Sequence, residues 1–546
     1  MVATGDEAIS GEMAATDDEA LVGCRCGAVG NIRLLPRSVL ITIYQPIFFN
    51  YEKSFDKCTR RTETTRPTLT NSSPPLTMEV SGTGAHVLIF PYPAQGHMLA
   101  LFDLTHQLAT RGLSITILVT PKNVPQLTPL LSAHPTTIKS FVLPFPYHPS
   151  IPSGVENASD LPFSAFNDMM VALGDLYNPI LEWFLNHPSP PVAIISDLFL
   201  GWTHNLACQL GIHRYVFSPT GALGLSVINS LWRFLPKRDD PTNDNTLISF
   251  PNIPNCPTFP WWQVSPVYRS YVEGDPTTEF VKDGLRANMV SWGVIINSFR
   301  ELDQIYFDHI KAESGHDRVF SVGPLLPSSK NTTERGGSSS SSSDVLSWLN
   351  TCAAHTVVFI SFGSQFVLTN KQMEEIALGL ERSGVKFVWA VKEPTGGHAV
   401  GAYGKIPDGF EDRVAGRGVV VRGWVPQVAI LNHRAVVALL THCGWNSIME
   451  ALMAGVLMLT WPMSADNFSN AMLLHQMKVG LKAYEGVDTV PDSGELARLF
   501  RKLVSEETRV ERKRVTEFAI AAKEAVGEGG SSWKDLDQLV LNLSHK

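Results

Sequence analysis

Short apolar runs alternate with amphipathic stretches over most of the chain, and this alternation predicts strands followed by helices. HVLIF (86–90) precedes the amphipathic stretch 97–112, and LSITILVT (113–120) follows it. A strand, a helix and a strand at this spacing predict a parallel sheet. Further strands are predicted where apolar runs recur: VAIISD (192–197), RYVFS (214–218), WGVIINS (292–298) and RVFSVGPLLP (318–327).

The same alternation starts again after residue 355. TVVFISFGS (356–364) predicts a strand, and KQMEEIALGLERSG (371–384) predicts a helix. The remaining pattern predicts four strands, at 386–391, 418–425, 436–441 and 456–462, then a basic helix at 501–526 and a final helix at 533–543. The predicted fold class is therefore α/β, with two doubly wound Rossmann-like domains that face a central cleft.

Changes in composition along the chain predict its domain boundaries. Residues 1–80 lack a periodic apolar pattern and are predicted to be a disordered extension, and their acidic start argues against a secretory or transit peptide. A first domain is predicted over 81–327, and a Ser-rich linker over 328–344 leads to a second domain over 345–526. Residues 527–546 are predicted to form a C-terminal helix that returns to the first domain.

The composition excludes several classes of partner. The 546 residues carry a net charge of −8, and only 18% of them are charged, which argues against nucleic acid or an anionic membrane surface. There is no run of about 18 apolar residues, so stable membrane insertion is not expected. The seven cysteines have no spacing typical of a metal site. We expect a cytoplasmic monomer.

Residues 424–467 carry the densest candidate chemistry. VVALLT (436–441) predicts a buried strand, and a polar turn, HCGWNS, leads into a predicted helix capped by Asn446 or Ser447 and ended by Gly455. A helix N-terminus after a parallel strand offers unpaired N–H groups and a positive dipole end, which suit a phosphate. His442, Asn446 and Ser447 add side-chain donors at this position.

Other side chains of this segment suit the remaining parts of a nucleotide sugar. Glu450 lies one turn along the predicted helix, where a carboxylate can bind ribose hydroxyls. Trp424 and Gln427 supply a flat ring and an amide, which can stack on a base and recognise it. Asp466 and Asn467 can bind sugar hydroxyls.

The segment closely resembles the donor-binding box of plant family 1 UDP-glycosyltransferases, through its WVPQ opening, its HCGWNS core, Glu450 and Asp466. Members of that family have the GT-B architecture, so the resemblance implies that the first domain binds an acceptor and the second a UDP-sugar. The implied contacts of the UDP-sugar are Ser364, Trp424, Val425, Gln427, His442, Gly444, Trp445, Asn446, Ser447, Glu450, Asp466 and Asn467.

Two residues of the first domain are candidates for catalysis. His97 lies where the loop after the first strand meets the first helix, and Asp197 ends the strand VAIISD. By themselves, such residues are more often helix caps or surface groups. PAQGHM and SDLFLGW resemble the acceptor-side motifs of the same family, however, and this implies that His97 is the general base and that Asp197 orients it.

The sequence does not favour a metal or another enzyme class. The only Asp-x-Asp is formed by Asp535 and Asp537 in the last predicted helix, where a solvated face is expected. Neither the GxGxxG motif of nicotinamide enzymes nor the GxSxG motif of serine hydrolases is present. No metal and no cofactor are therefore expected, with the UDP-sugar as co-substrate. Ser364 is a further phosphate candidate, although such a serine can also serve only a turn.

The predicted function is inverting transfer of a sugar, glucose by preference, from a UDP-sugar to a hydroxyl or carboxyl of a small lipophilic phenolic such as a flavonoid or a hydroxybenzoic acid. Asn467 stands where the family has glutamine or histidine, so a UDP-rhamnose-dependent flavonol rhamnosyltransferase is the alternative. A catalytically silent nucleotide-sugar-binding protein would lack the two catalytic candidates. The acceptor pocket is expected to be built from variable loops around 146–165, 218–234 and 255–275.

Overall fold

The computed structural model describes residues 84–327, 342–394 and 401–545. The extension predicted over 1–80 lies outside these residues, and so does most of the linker predicted over 328–344. Both predicted α/β halves, 81–327 and 345–526, fall within the described part of the chain except for residues 81–83 and 395–400.

The first half is a seven-stranded parallel sheet with helices on both faces. Its strands are β1 His86–Phe90, β2 Ser114–Val119, β3 Ile138–Val142, β4 Ala193–Asp197, β5 His213–Ser218, β8 Gly293–Ile296 and β9 Val319–Ser321, and an antiparallel pair, β6 Leu247–Ser249 and β7 Thr258–Pro260, lies apart from the sheet. Its α-helices are α1 Gln95–Thr110, α2 Val124–Ala133, α3 Phe166–Gly174, α4 Tyr177–Asn186, α5 Thr203–Leu210, α6 Ala222–Phe234, α7 Pro266–Arg269, α8 Pro276–Asn288 and α9 Arg300–Ser314.

The order of these strands brings the two catalytic candidates together. The sheet runs β3-β2-β1-β4-β5-β8-β9, and β1 pairs in parallel with β4. The chain builds the sheet outwards in both directions from this pair, so the loops after β1 and β4 diverge and leave a crevice at their carboxyl ends. His97 follows β1 and Asp197 ends β4, and both therefore lie at this crevice.

The second half repeats the arrangement with six parallel strands in the order β12-β11-β10-β13-β14-β15. The strands are β10 Val357–Ser361, β11 Lys386–Val391, β12 Gly418–Arg422, β13 Val436–Thr441, β14 Leu457–Thr460 and β15 Gly480–Lys482. The helices are α10 Ser342–Asn350, α11 Asn370–Ser383, α12 Phe410–Arg413, α13 Gln427–Leu431, α14 Trp445–Ala454, α15 Asn467–Gln476, α16 Ser493–Val504, α17 Arg509–Val526 and α18 Ser531–Ser544.

The inner strands of the second sheet are covered on both faces. Every residue of β10 and of β13 is buried, as expected for parallel strands between two helical layers. The pairing of β10 with β13 sets Ser361 opposite Thr441. The loop that carries Ser364 and the turn HCGWNS therefore start side by side at the carboxyl edge of this sheet.

The last helix, α18, packs against the first half through specific contacts. Asp535 accepts hydrogen bonds from Arg300 and from the amide and hydroxyl of Ser321, at 2.8 to 3.0 Å. Asp537 accepts from Arg111 at 2.8 Å. The predicted solvated face is wrong for Asp535, whose side chain is only 15% exposed, whereas the Asp537 side chain is 40% exposed. Both carboxylates form ion pairs that hold α18 on the first half.

Candidate functional site

His97 and Asp197 form a hydrogen-bonded pair at the crevice of the first sheet. Nδ1 of His97 lies 2.7 Å from Oδ2 of Asp197. The imidazole side chain is 18% exposed, whereas the carboxylate is fully buried. The pair therefore presents one face of the imidazole to solvent while its carboxylate stays inside the protein.

Neighbouring groups fix this pair in one orientation. Oδ1 of Asp197 accepts from the backbone N–H of Phe199 at 2.9 Å. The ring of Phe199 stacks on the His97 imidazole with centroids 5.0 Å apart, and Tyr92 meets it edge-on at 5.6 Å. Because Nδ1 is held by the carboxylate, Nε2 is the ring nitrogen left for a ligand.

The N-terminus of α14 has a different cap from the predicted one. The cap is Gly444, and the helix begins at Trp445 without any side-chain cap hydrogen bond. The prediction of Asn446 or Ser447 as cap is wrong, because Cys443 adopts a left-handed backbone with φ of +66° and turns the chain into the helix earlier. The first-turn N–H groups of α14 thus donate no hydrogen bond to a capping side chain. The predicted end at Gly455 is confirmed.

His442 is packed between two glycines beside this helix start. A Cβ atom added to Gly363 would lie 2.5 Å from the imidazole ring, and one added to Gly444 would lie 2.3 Å from it, so both positions require glycine. Burial lowers the pKa of His442 to about 4. The ring is therefore neutral at physiological pH and can offer a hydrogen bond but no charge.

Gln427, Ser447 and Glu450 form a small hydrogen-bonded cluster at the first turns of α14. The Gln427 amide donates to Oγ of Ser447 at 3.0 Å and to Oε2 of Glu450 at 2.7 Å. Gln427 was predicted to recognise the base, but its amide is bound to the helix that also carries the ribose candidate. This cluster positions the carboxylate of Glu450.

Two side chains at the start of α14 reach across to the first half. The Trp445 indole N–H donates to the carbonyl of Asn297 at 2.6 Å, and the Asn446 amide donates to the carbonyl of Gly96 at 2.7 Å. A Cβ atom on Gly221 would lie 2.4 Å from the Trp445 ring. Both side chains line the cavity, but their N–H groups form hydrogen bonds between the two halves. The sequence did not indicate these hydrogen bonds.

Asp466 lies near enough to His97 for their charges to interact, and Asn467 follows it at the start of α15. Burial raises the pKa of Asp466, and nearby Thr220, Asn470 and His97 favour its charged form. With its nitrogen turned toward them, the Asn467 amide donates to the backbone carbonyls of His442 and Ser464 at 3.2 and 3.1 Å. Asn467 thus ties the loop before α15 to the turn after β13.

All the predicted donor contacts and His97 border one cavity of about 480 Å³ between the two halves, and Asp197 is buried behind His97. The predicted donor contacts that line it are Ser364, Trp424, Val425, Gln427, His442, Gly444, Trp445, Asn446, Ser447, Glu450, Asp466 and Asn467. This volume is in the range of pockets that bind small molecules.

The cavity also has an apolar part that belongs to the first half. Helix α6 contributes Ile228, Leu231 and Trp232, and Phe199 and Val267 complete the wall. The predicted acceptor segments 218–234 and 255–275 reach the cavity, although the former is mostly helix. No described residue of 146–165 lines it.

Sequence reasoning missed several polar residues of the cavity, and Thr220 and Lys392 are two of them. Each follows a predicted strand at the carboxyl edge of its sheet, which is the signal that identified Asp197. Within the described ranges there is no cluster of three or more metal-ligating side chains. No helix in the same ranges is both long and apolar enough to cross a membrane.

Two Rossmann-like halves with a shared cavity define a protein of the GT-B class. The family model described as UDP-glucoronosyl and UDP-glucosyl transferase matches residues 328–493. UDP-glycosyltransferase 89B2 of Stevia rebaudiana is 68% identical over 461 residues, which are 84% of this chain and 98% of that protein. Flavonol 3-O-glucosyltransferase UGT89B1 of Arabidopsis thaliana is 54% identical over 84% of this chain and 96% of its own length.

Solved structures agree with these relatives. The crystal structure of Arabidopsis thaliana UGT89C1 complexed with UDP-L-rhamnose has a TM-score of 0.70 and 37% identity, and the match covers 84% of this chain and 99% of that one. The chain belongs to the plant family 1 UDP-glycosyltransferases. It is an enzyme with the GT-B fold, and the predicted family and fold class are confirmed.

Proposed function

We propose that this enzyme transfers glucose from UDP-glucose to a hydroxyl of a small phenolic of the flavonol type, with inversion at the anomeric carbon. The observation that carries the proposal is the His97–Asp197 pair, 2.7 Å apart, at a cavity whose other wall carries the donor-box residues. A silent nucleotide-sugar binder would have no need for such a pair.

His97 acts as the general base in this mechanism. Its Nε2 takes the proton of the acceptor hydroxyl while the oxygen attacks the anomeric carbon. Asp197 holds Nδ1 and stabilises the imidazolium that forms. The bond from the anomeric carbon to the diphosphate breaks as the new bond forms, so a single displacement converts an α-linked donor into a β-linked product.

The departing diphosphate is stabilised by the start of α14. Its first-turn N–H groups carry no side-chain cap, and the helix dipole directs positive potential to the same position. Ser364, His442 and Ser447 add hydrogen bonds, and Glu450 binds the ribose. The ring of Trp424 stacks on the uracil, Val425 lies against that base, and Gly444 leaves room for the diphosphate. No metal ion is required in this scheme.

Relatives support the acceptor class and the sugar. The Arabidopsis thaliana relative at 54% identity is named a flavonol 3-O-glucosyltransferase. UGT89C1 has also been crystallised with quercetin, at 36% identity and a TM-score of 0.69. The apolar wall of α6 side chains suits the flat ring system of a flavonol.

UDP-rhamnose is the second candidate donor. A relative at 37% identity is named a flavonol 7-O-rhamnosyltransferase. Asp466 and Asn467 are the residues that distinguish the sugars in this proposal. A 6-deoxy sugar needs fewer polar contacts there than glucose does.

The test is incubation of the purified protein with quercetin and either UDP-glucose or UDP-rhamnose. The mass of the product distinguishes a hexose from a deoxyhexose, and its proton spectrum reports the anomeric configuration. We expect a β-glucoside and a higher kcat/KM with UDP-glucose. A higher kcat/KM with UDP-rhamnose would favour the second candidate, and no transfer from either donor to any phenolic would refute the acceptor class.

A further inference from the structure

Lys392 is a cavity residue without an assigned role. It directly follows β11, so it projects from the carboxyl edge of the second sheet, where the donor-box loops also begin. Its ammonium nitrogen is buried and has no hydrogen-bond acceptor in the described part of the chain. A buried ammonium without an acceptor is costly unless a ligand completes the site.

The cavity has little positive charge besides this group. Among the described residues that line it, Lys392 is the only lysine or arginine, whereas Glu450 and Asp466 are carboxylic acids. His442 is neutral because burial lowers its pKa to about 4. A bound UDP would add the charge of a diphosphate to this acidic surrounding.

No described carboxylate of the protein neutralises Lys392 at short range. Asp160, on the first half, influences its charge but makes no hydrogen bond with it. Burial lowers the pKa of Lys392, and a bound anion would favour its charged form.

The sheet sets the distance between Lys392 and the start of α14. Only β10 separates β11 from β13, so the two chain ends are about 10 Å apart at a strand spacing of about 4.8 Å. A lysine side chain spans much of that distance on its flexible four-carbon stem. Its charge therefore acts on a diphosphate bound at the helix start with little screening by water.

We propose that Lys392 is a donor-binding residue whose ammonium provides the counter-charge for the diphosphate of the UDP-sugar and of the departing UDP. This inference rests on the proposed use of the cavity for a UDP-sugar. It assigns an electrostatic part of donor binding to a residue outside the donor box.

Calorimetric titration with UDP, UMP and uridine tests the role of Lys392 without any turnover. We expect Lys392→Met to raise the Kd of UDP about tenfold, to raise that of UMP less, and to leave that of uridine unchanged, because the lost interaction scales with ligand charge. Lys392→Arg should retain most of the UDP affinity. Lys405→Met removes an exposed lysine paired with Asp408 and is the matched control, with wild-type affinity expected.

Each other outcome has a defined meaning. An equal loss of affinity for uridine would show a contact with the nucleoside, and an unchanged Kd for UDP would show no contact; either result overturns the inference while the proposed function stands. Failure of the wild-type protein to bind UDP would overturn both. Lys392→Gln replaces the methionine variant if its melting temperature shows that it is not folded.

Discussion

At the scale of single residues, the pairing of His97 with Asp197 makes a specific kinetic prediction. We expect His97→Ala to lower kcat about 10²–10⁴-fold, because the acceptor hydroxyl loses its base. The Kd of UDP should stay near the wild-type value, since the imidazole lies on the acceptor side of the cavity. Asp197→Ala should cost less, because the imidazole remains.

This test requires an acceptor whose hydroxyl is only weakly acidic. A strongly acidic phenol reacts as its own anion, so the measurement requires a weakly acidic alcohol. The control is His106→Ala, which lies near the C-terminal end of α1, the helix that carries His97. A near-normal kcat of His97→Ala with the alcohol would contradict the assignment of the base.

Asn467 allows a test of the sugar preference. Its amide is engaged with the carbonyls of His442 and Ser464, so it acts on the sugar through the shape of the loop that carries Asp466. We expect Asn467→Gln to change the ratio of kcat/KM for UDP-glucose over UDP-rhamnose severalfold in favour of glucose, because the longer side chain does not fit between these two carbonyls and places its amide in the cavity, within reach of a sugar hydroxyl. An unchanged ratio would mean that residue 467 does not recognise the sugar.

The residue types of the donor box were predictable from the sequence, but their hydrogen-bond partners were not. The sequence pattern predicts a helix start near Trp445 and Asn446, and the helix does begin at Trp445. Their partners Asn297 and Gly96 are 148 and 350 residues away in the chain. Contacts at such separations depend on how the two sheets meet, which no local pattern encodes.

At the scale of elements, helix α6 is held at its start by a buried carboxylate. Asp303 accepts from the N–H of Ala222 at 2.8 Å and from the hydroxyl of Ser298 at 3.0 Å. Burial raises the pKa of Asp303 from 3.8 to about 6. The folded protein thus retains a proton at a pH where the unfolded chain has lost it.

This shift predicts a pH dependence of stability. The contribution of Asp303 is fully present below its unfolded pKa of 3.8 and is lost as the pH rises through the folded value of about 6. The free energy of unfolding of wild type relative to Asp303→Asn should therefore fall by up to about 3 kcal/mol from about pH 4 to about pH 7. Denaturant titrations at each pH measure this free-energy difference. The control is Asp308→Asn, on the exposed side of α9, the helix that also carries Asp303. A constant difference would refute the shift.

The elements that were predictable are those with a continuous buried run. The strands at 436–441 and 86–90 are confirmed with their predicted bounds. Strand Ile138–Val142 was missed because Lys139, Ser140 and Val142 are exposed and interrupt the apolar run. Strand Gly480–Lys482 was missed because three residues give no period. The single helix predicted over 501–526 is wrong, because one helix ends at Val504 and the next begins at Arg509. The side chain of Ser505 caps the short turn between them.

At the scale of the whole molecule, the first residues of α14 form one of the contacts between the two halves. Asn446 binds the carbonyl of Gly96, which immediately precedes His97 in the chain. The helix start that receives the diphosphate thus also holds the backbone beside the base. A displacement of the helix start is therefore transmitted to the backbone beside His97, and a displacement of that backbone is transmitted to the helix start.

A link of this kind couples the affinity for UDP to the affinity for the acceptor, and the coupling is reciprocal. If bound UDP changes the affinity for quercetin by some factor, quercetin must change the affinity for UDP by the same factor. We expect a factor of about 5 or more in wild type and a factor close to one in Asn446→Ala, measured by titrating each ligand with and without the other. Equal factors in both proteins would contradict the role of this hydrogen bond. Where the link holds, a ranking of acceptors obtained with one sugar nucleotide does not describe the enzyme loaded with another.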